Sequence, residues 1–345
     1  MRFVDNRGVL DARRNLALEE YVLREKDTAE DCLLFYVNAP AIIIGRNQNT
    51  VEEINPAVVA ERGITVVRRL SGGGAVYHDL GNLNFSFLTP ASPDRFNRYE
   101  AFLRPVLDVL RALGLDAELG GRNDVTVGGR KVSGNAQFTT ARRMFSHGTL
   151  LVDADLDAVT AALNPRPGKV ESKGVKSIRS RVANIAELVA ERGGAPYRVA
   201  PNGAAVTVDS LRALLLVRLF GTSDLARLPQ LEMTEDDYRA VERLAVEKYG
   251  AWAWTYGEDP PSDVRRTRRL AAGELDVRLA LGGGRITAAR VYGDFQGPDD
   301  VRDFEQRLVG VAYGRDAVAR ALDGVDVARY FGPVTRDEVL DAVVG

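Results

Sequence analysis

Residues 124–137 restrict the architecture of this chain more than any other stretch. Val125-Thr126-Val127 and Arg130-Lys131-Val132 flank the pair Gly128–Gly129. Two strand-like runs parted by two glycines spell a tight hairpin, because the turn that matches twisted strands needs left-handed backbone at both central residues. The fold therefore contains antiparallel sheet. In that register Thr126 lies opposite Lys131 on one face, with Val125 and Val132 on the other. A lysine fixed on a paired strand is better held for chemistry than one on a loop, although a lone lysine is most often a surface residue.

The neighbouring segments supply helices and further strands. Asp11–Arg24 places Leu16, Ala17, Tyr21 and Val22 at helical spacing. Leu33–Val37 and Ala41–Gly45 read as short strands parted by Ala39–Pro40, and Ile64–Arg68, Asn82–Leu88 and His147–Val152 as longer-range sheet partners. Asn55–Arg62, with Pro56 in its first turn, Arg98–Leu113, stopped by Gly114, and Leu156–Leu163 read as helices. Asn164–Asn184 is rich in Pro, Gly, Lys, Arg and Ser without apolar period, the composition of a long loop serving as a binding lid. After Trp252-Ala253-Trp254, a helix having ended near Tyr249, the linker Glu258–Pro261 leads to a second hairpin. Its arms are Gly273–Leu281 and Arg285–Tyr292 around Gly282–Gly284, and helices near Val301–Val309, Arg315–Leu322 and Thr335–Val343 follow. An α+β chain of two domains is expected, residues 1–250 and 258–345; its 345 residues suit two domains better than one.

Charge and cysteine content exclude several function classes. A formal charge of −2 gives no field that would gather nucleic acid. A single cysteine, Cys32, excludes an internal disulfide framework and a multi-cysteine zinc site. No apolar run approaches the ~20 residues needed to span a bilayer, and the first twenty residues are charged throughout, so a cytoplasmic protein without membrane association is expected. His78 and His147, the 2 histidines, could suggest a metal, but no third ligand accompanies them; a general base is an alternative, and a positioning role is favoured.

The chemistry is concentrated in two runs. Arg68-Arg69-Leu70-Ser71-Gly72-Gly73-Gly74-Ala75-Val76-Tyr77-His78-Asp79 puts three glycines after a strand, letting backbone approach a ligand, with two arginines ahead as forked donors for phosphate or carboxylate. No Gly-Lys-Ser/Thr follows, so this is not a Walker loop. A plain glycine-rich turn beside solvated arginines is the bland alternative. The second run joins Gly121-Arg122-Asn123-Asp124 to Lys131-Val132-Ser133-Gly134-Asn135-Ala136.

Together these runs resemble the lipoate–protein ligase family. Its lipoate-binding loop, RRxSGGGAVYHD, fits residues 68–79 at every defined position. Its GRND, KxSGNA and HGTLL segments fit Gly121–Asp124, Lys131–Ala136 and His147–Leu151, and an adenylate-binding loop fits Ser172–Asn184. The family's W-x-W-x-Y-G segment ahead of its C-terminal domain fits Trp252–Gly257. The resemblance implies a biotin/lipoate ligase-like catalytic domain, mixed sheets flanked by helices, with a small α+β accessory domain. It implies ATP-dependent attachment of salvaged lipoate to a lysine of an acceptor, by way of lipoyl-AMP and pyrophosphate release, then transfer with AMP release.

The family's functional residues fall on particular positions. Lys131 is the central group, bridging lipoyl carboxylate and α-phosphate. Arg69, Gly74, Ala75, Val76, Tyr77, Asn123 and Asp124 would hold ATP and the adenylate, Asp124 also contacting Mg²⁺. Ser71, Gly72, Gly73, Gly74, His78 and His147 would bind lipoate, and Lys173, Lys176, Ser177 and Arg181 belong to the adenylate loop. Acceptors would be lipoyl domains of 2-oxoacid dehydrogenase E2 subunits and the glycine cleavage H protein, the enzyme acting as a monomer on lipoate or octanoate. Every such motif precedes residue 185, so the C-terminal domain is expected to serve the second half-reaction.

Competing readings are weaker. Acyl transferases of this fold use a cysteine near the middle of the catalytic domain, by the segment occupied here by His147–Leu151, whereas Cys32 sits in the apolar run Asp31-Cys32-Leu33-Leu34-Phe35-Tyr36. Biotin ligase's glycine–arginine loop is not found. A non-catalytic lipoate sensor would not need the intact Lys131 and adenylate loop. Arg265, Arg266, Arg268 and Arg269 read as a solvated face, or as a landing site for an acidic acceptor.

Overall fold

A computed structural model describes residues 1–26, 29–121, 123–163, 181–192, 206–257 and 262–345. Most of Asn164–Asn184, including Lys173, Lys176 and Ser177, and the linker Glu258–Pro261 lie outside the described residues. The chain divides into two compact units: residues 1–43, 54–67 and 76–251, and residues 44–53, 68–75 and 252–345.

The first unit is built on a seven-stranded sheet in the order β1-β2-β6-β10-β9-β8-β7. These strands are β1 Arg2–Val4, β2 Cys32–Tyr36, β6 Asn82–Pro90, β7 Ala117–Gly120, β8 Asp124–Val127, β9 Arg130–Thr139 and β10 Arg143–Leu151. β1 runs parallel to β2, and every other pairing is antiparallel. A smaller sheet orders β4 (Thr65–Arg68), β3 (Ala41–Ile44) and β5 (Val76–His78) side by side. Helix α1, Ala12–Glu25, starts where the Asp11 carboxylate accepts from the Arg13 amide, an N-cap. On one sheet face Leu33, Phe35, Leu83, Phe85, Phe87, Met144 and Leu150 pack into a single core with Phe102, Leu103, Val106 and Leu110 of the helix Tyr99–Ala112. Burying such side chains contributes about 1.5–3 kcal/mol each.

The expected hairpin forms as the glycine pair requires. Gly128 and Gly129 take φ of 56° and 76°, the left-handed values of a two-residue turn, and Thr126 pairs with Lys131. One feature is not written in the alternation. Val125 pairs with Ser133, so Val132 is an extra residue, a β-bulge. Val132 and Ser133 both bury toward the helix-covered core, where Ser133 Oγ accepts from Asn135 Nδ2 at 3.0 Å. The bulge thus throws Lys131 onto the opposite face from Ser133.

In the second unit β11 (Val264–Leu270), β12 (Gly273–Gly282) and β13 (Arg285–Gly293) form a three-stranded antiparallel sheet. Its core joins Leu275, Val277, Leu279, Ile286 and Val291 to Phe304, Leu308, Val318, Phe331 and Val343 from the following helices. β11 carries the arginine cluster along an edge, where charge blunts strand-to-strand association. Arg265 pairs with Asp276 at 2.8 Å and with Glu52 at 3.3 Å, and Arg269 with Asp294 at 3.2 Å.

Candidate functional site

Lys131 is fixed by backbone pairing and by an ion pair within its own unit. Its amide donates to the Arg181 carbonyl (2.7 Å) and its carbonyl accepts from the Ala183 amide (3.0 Å), so the chain at Arg181–Ala183 pairs directly with it. The ammonium lies 2.8 Å from Asp124 Oδ1, each side chain about one-third exposed. The stem crosses Gly134: a Cβ there would come within 2.8 Å of Nζ and 3.0 Å of Cε. The absent Cβ at Gly134 leaves room for the lysine to lie in this position. Asn123 and Asn135 exchange amides, Asn135 Nδ2 donating to the Asn123 carbonyl at 2.9 Å and Asn123 Nδ2 to the Asn135 carbonyl. Asn123 thereby helps to pin the tip of β8, which carries Asp124. Buried Asn135 Oδ1 accepts no hydrogen bond among the described residues.

The face that Lys131 joins is polar and buried. Across β6, β10 and β9, Ser86 pairs with His147 and His147 with Ala136, and one pleat along, Asn84 pairs with Thr149. Thr149 Oγ1 accepts from the Gly134 amide at 3.3 Å, tying that row to the Lys131 turn. Asn84 Nδ2 donates to the Tyr36 carbonyl, so it serves buried backbone. Ser86 Oγ has no hydrogen-bond partner among the described residues. His147 lies against Phe145, with centroids 4.5 Å apart and ring planes tilted by 31°, and turns Nδ1 to both oxygens of Glu19 on α1 at 3.0 and 3.1 Å. His78 instead faces Asn38. Tyr77, opposite Ile42, is largely buried, and burial pushes its phenol up.

The glycine-rich run belongs to the second unit and is wrapped by its own arginine. Arg69 donates to Ser71 Oγ (3.0 Å) and to the carbonyls of Gly72 (2.6 Å) and Gly74 (2.9 Å). Arg68, expected as a donor to an anionic ligand, is instead spent on the scaffold. Its guanidinium reaches the carbonyls of Gly45, Arg46, Gln48, Trp254 and Thr255 and the Thr50 hydroxyl, all within 2.7–3.0 Å. Burial lowers its pKa to about 10. At Gly72 a Cβ would sit 2.3 Å from the Phe295 carbonyl and 3.1 Å from Gln296 Cγ. The close approach at this glycine is to the unit's own chain.

Cys32 is fully buried at the head of β2, its sulfur 3.7 Å from an Arg143 nitrogen, and burial pushes its thiol up. A nucleophile needs exposure and thiolate character, and this site supplies neither. Among the described residues no group of three His, Cys, Asp or Glu could hold a metal, and no helix is long and apolar enough to cross a membrane.

Family models match most of the chain. Residues 11–196 match the lipoyl protein ligase A/B catalytic domain, and residues 259–343 the bacterial lipoate protein ligase C-terminus. The lipoate-protein ligase LplJ of Bacillus subtilis (strain 168) is 46% identical over 343 residues, 99% of this chain and 100% of its own. This chain belongs to the lipoate–protein ligase family. The ligase also resembles two solved structures. One, from a study of an archaeal bi-partite lipoate protein ligase and its E2 lipoyl domain from Thermoplasma acidophilum, is 30% identical at a TM-score of 0.63, covering 76% of this chain and 98% of that one. The other, lipoate-protein ligase A bound with ATP, is 29% identical at a TM-score of 0.58, covering 74% of this chain and 98% of that one. The sequence pointed to Lys131, Asp124 and Arg69 within this ligase. It did not point to Glu19 or Asn38, although an acid on the apolar side of α1 was a visible break in its period.

Proposed function

We infer that the ligase activates lipoate with ATP and passes the acyl group to a lysine of lipoyl domains. The observation that carries the reading is the bulged strand that sets Lys131 on the buried polar face shared with Thr149, Asn84 and His147. Lipoate's carboxylate attacks the α-phosphate, pyrophosphate leaves, and the acceptor amine then attacks the acyl carbon with AMP as leaving group. Charge builds on oxygen in both steps, so a fixed cation contributes more than a strong base. Lys131 bridges the carboxylate and the α-phosphate. Arg69 and the Gly74–Tyr77 backbone hold the adenylate, and the loop Ser71–Gly74, which Arg69 keeps in shape, binds lipoate. Arg181 belongs to the loop that binds the adenylate.

Along the acyl chain, His147, oriented by Glu19, and His78 line the lipoate site. Asp124 fits Mg²⁺: it is a hard oxygen donor beside the expected phosphates, and Mg²⁺ needs only one or two carboxylates when phosphate and water complete its shell. The ion would neutralise the departing pyrophosphate. The reading extends to lipoyl domains of E2 subunits and the H protein as acceptors, and to a cytoplasmic monomer. The test is pyrophosphate release from ATP, with lipoate or octanoate, with and without a lipoyl domain. Lipoate-dependent release followed by mass gain on the domain is expected; release with neither acid, or transfer without ATP, refutes the reading.

A further inference from the structure

Asn6, Asn15, Asn38 and His78 form a hydrogen-bonded series from the loop before α1 to the strand that leaves the glycine-rich run. Backbone groups, each limited to one role, fix its direction. The Gly8 amide donates to Asn6 Oδ1 at 3.2 Å, so Asn6 Nδ2 is the atom that reaches the Val9 carbonyl (3.0 Å) and Asn15 Oδ1 (3.1 Å). Asn15 Nδ2 donates to the same Val9 carbonyl at 3.0 Å and to Asn38 Oδ1 at 2.8 Å. With its oxygen so occupied, Asn38 presents Nδ2 to His78 Nδ1 at 2.9 Å. An amide nitrogen only donates. Nδ1 must accept, and the neutral imidazole carries its proton on Nε2. Asn15, Asn38 and His78 are all buried, so water does not readily substitute for any link.

We propose that Asn38, oriented by Asn15, is a positioning residue that holds His78 as a neutral Nε2–H donor to an oxygen acceptor of the acyl substrate. The proposal rests on the reading that His78 belongs to the lipoate site. It excludes His78 as a general base, because Nε2 already carries the proton and protonating Nδ1 would set two donors against each other. His147 is arranged the other way: the Glu19 carboxylate accepts, so there the proton sits on Nδ1. The two histidines of the chain thus present Nε2 atoms of different character.

Long-range ¹H–¹⁵N spectra of the full chain with labelled histidine test this directly, the two rings being assigned with a His78→Gln variant. A protonated Nε2 and a bare Nδ1 at His78 are expected near pH 7. A proton on Nδ1, or a mixture of tautomers, overturns the assignment. Asn38→Asp replaces the donating amide with a group that only accepts. It should bring a proton to Nδ1 and raise KM for lipoate about tenfold, the worth of one or so hydrogen bonds, with a smaller change in kcat. An unmoved KM once the proton has moved overturns the positioning role. If Asn38→Asp does not fold, His78→Gln, which keeps a donor near Nε2, should hold lipoate about tenfold more tightly than His78→Leu, and equality overturns the role. The wild-type spectrum is read without substrate, so its failure is distinct from failure of the ligase reading.

Discussion

Lys131→Met keeps an unbranched stem and removes the charge, and on the proposed role of Lys131 the loss has two parts. One is the charge-assisted donor to carboxylate and phosphate, worth about 1.5–3 kcal/mol. The other is Asp124, 2.8 Å from Nζ, which is left facing the anionic substrates without its partner. At about 5 Å and an effective dielectric between about 20 and 80, suited to groups one-third exposed, that repulsion adds about 1–3 kcal/mol. The sum, about 2.5–6 kcal/mol, lowers lipoyl-AMP formation by roughly two to four powers of ten. Lipoate-dependent pyrophosphate release in single turnover measures it. The double variant Lys131→Met/Asp124→Asn separates the two parts. Recovery of about tenfold over Lys131→Met means Asp124 acts by orienting the ammonium, whereas a further fall means that it holds Mg²⁺. A folded Lys131→Met enzyme making lipoyl-AMP at the wild-type rate refutes the assignment.

Cys32→Ala should retain ATP-dependent lipoylation and lose about 1 kcal/mol of stability, read by thermal melting; abolished transfer would restore the thioester alternative. Truncation after Gly257 removes Phe295 and Gln296, against which Gly72 packs, and Asp300, which pairs with Arg46, so lipoyl-AMP formation itself should fall, not transfer alone; undiminished adenylation by the truncated chain would count against this. Burial raises the Glu305 carboxyl from 4.5 to about 7, so its proton binds more tightly in the folded protein. The resulting stability, about 3 kcal/mol, is fully present below pH ~4.5 and lost as pH rises through about 7; Glu305→Gln should flatten that fall in melting temperature, and an unchanged profile would show that another group governs it.

What the sequence makes legible is local. The Gly128–Gly129 turn, the strand bearing Lys131 and the helix over residues 12–25 follow from period and turn chemistry, which neighbouring residues set among themselves. β11 is missed because arginines at 265, 266, 268 and 269 lack strand-like apolar alternation; the strand exists because β12 offers it an edge and buried Asp276 offers Arg265 a partner. Arg68 and Arg69 show the same limit at the site. Adjacent and chemically identical, they differ only in which carbonyls the distant chain brings to them: those of Gly45, Gln48 and Thr255 consume Arg68, while those of Gly72 and Gly74 make Arg69 the frame of the loop. Glycines share this ambiguity, since the absent Cβ at Gly72 admits Phe295 and the one at Gly134 admits the lysine stem. A motif therefore states which residues the site needs, and only the long-range acceptors decide whether a given one touches the ligand or builds the wall behind it.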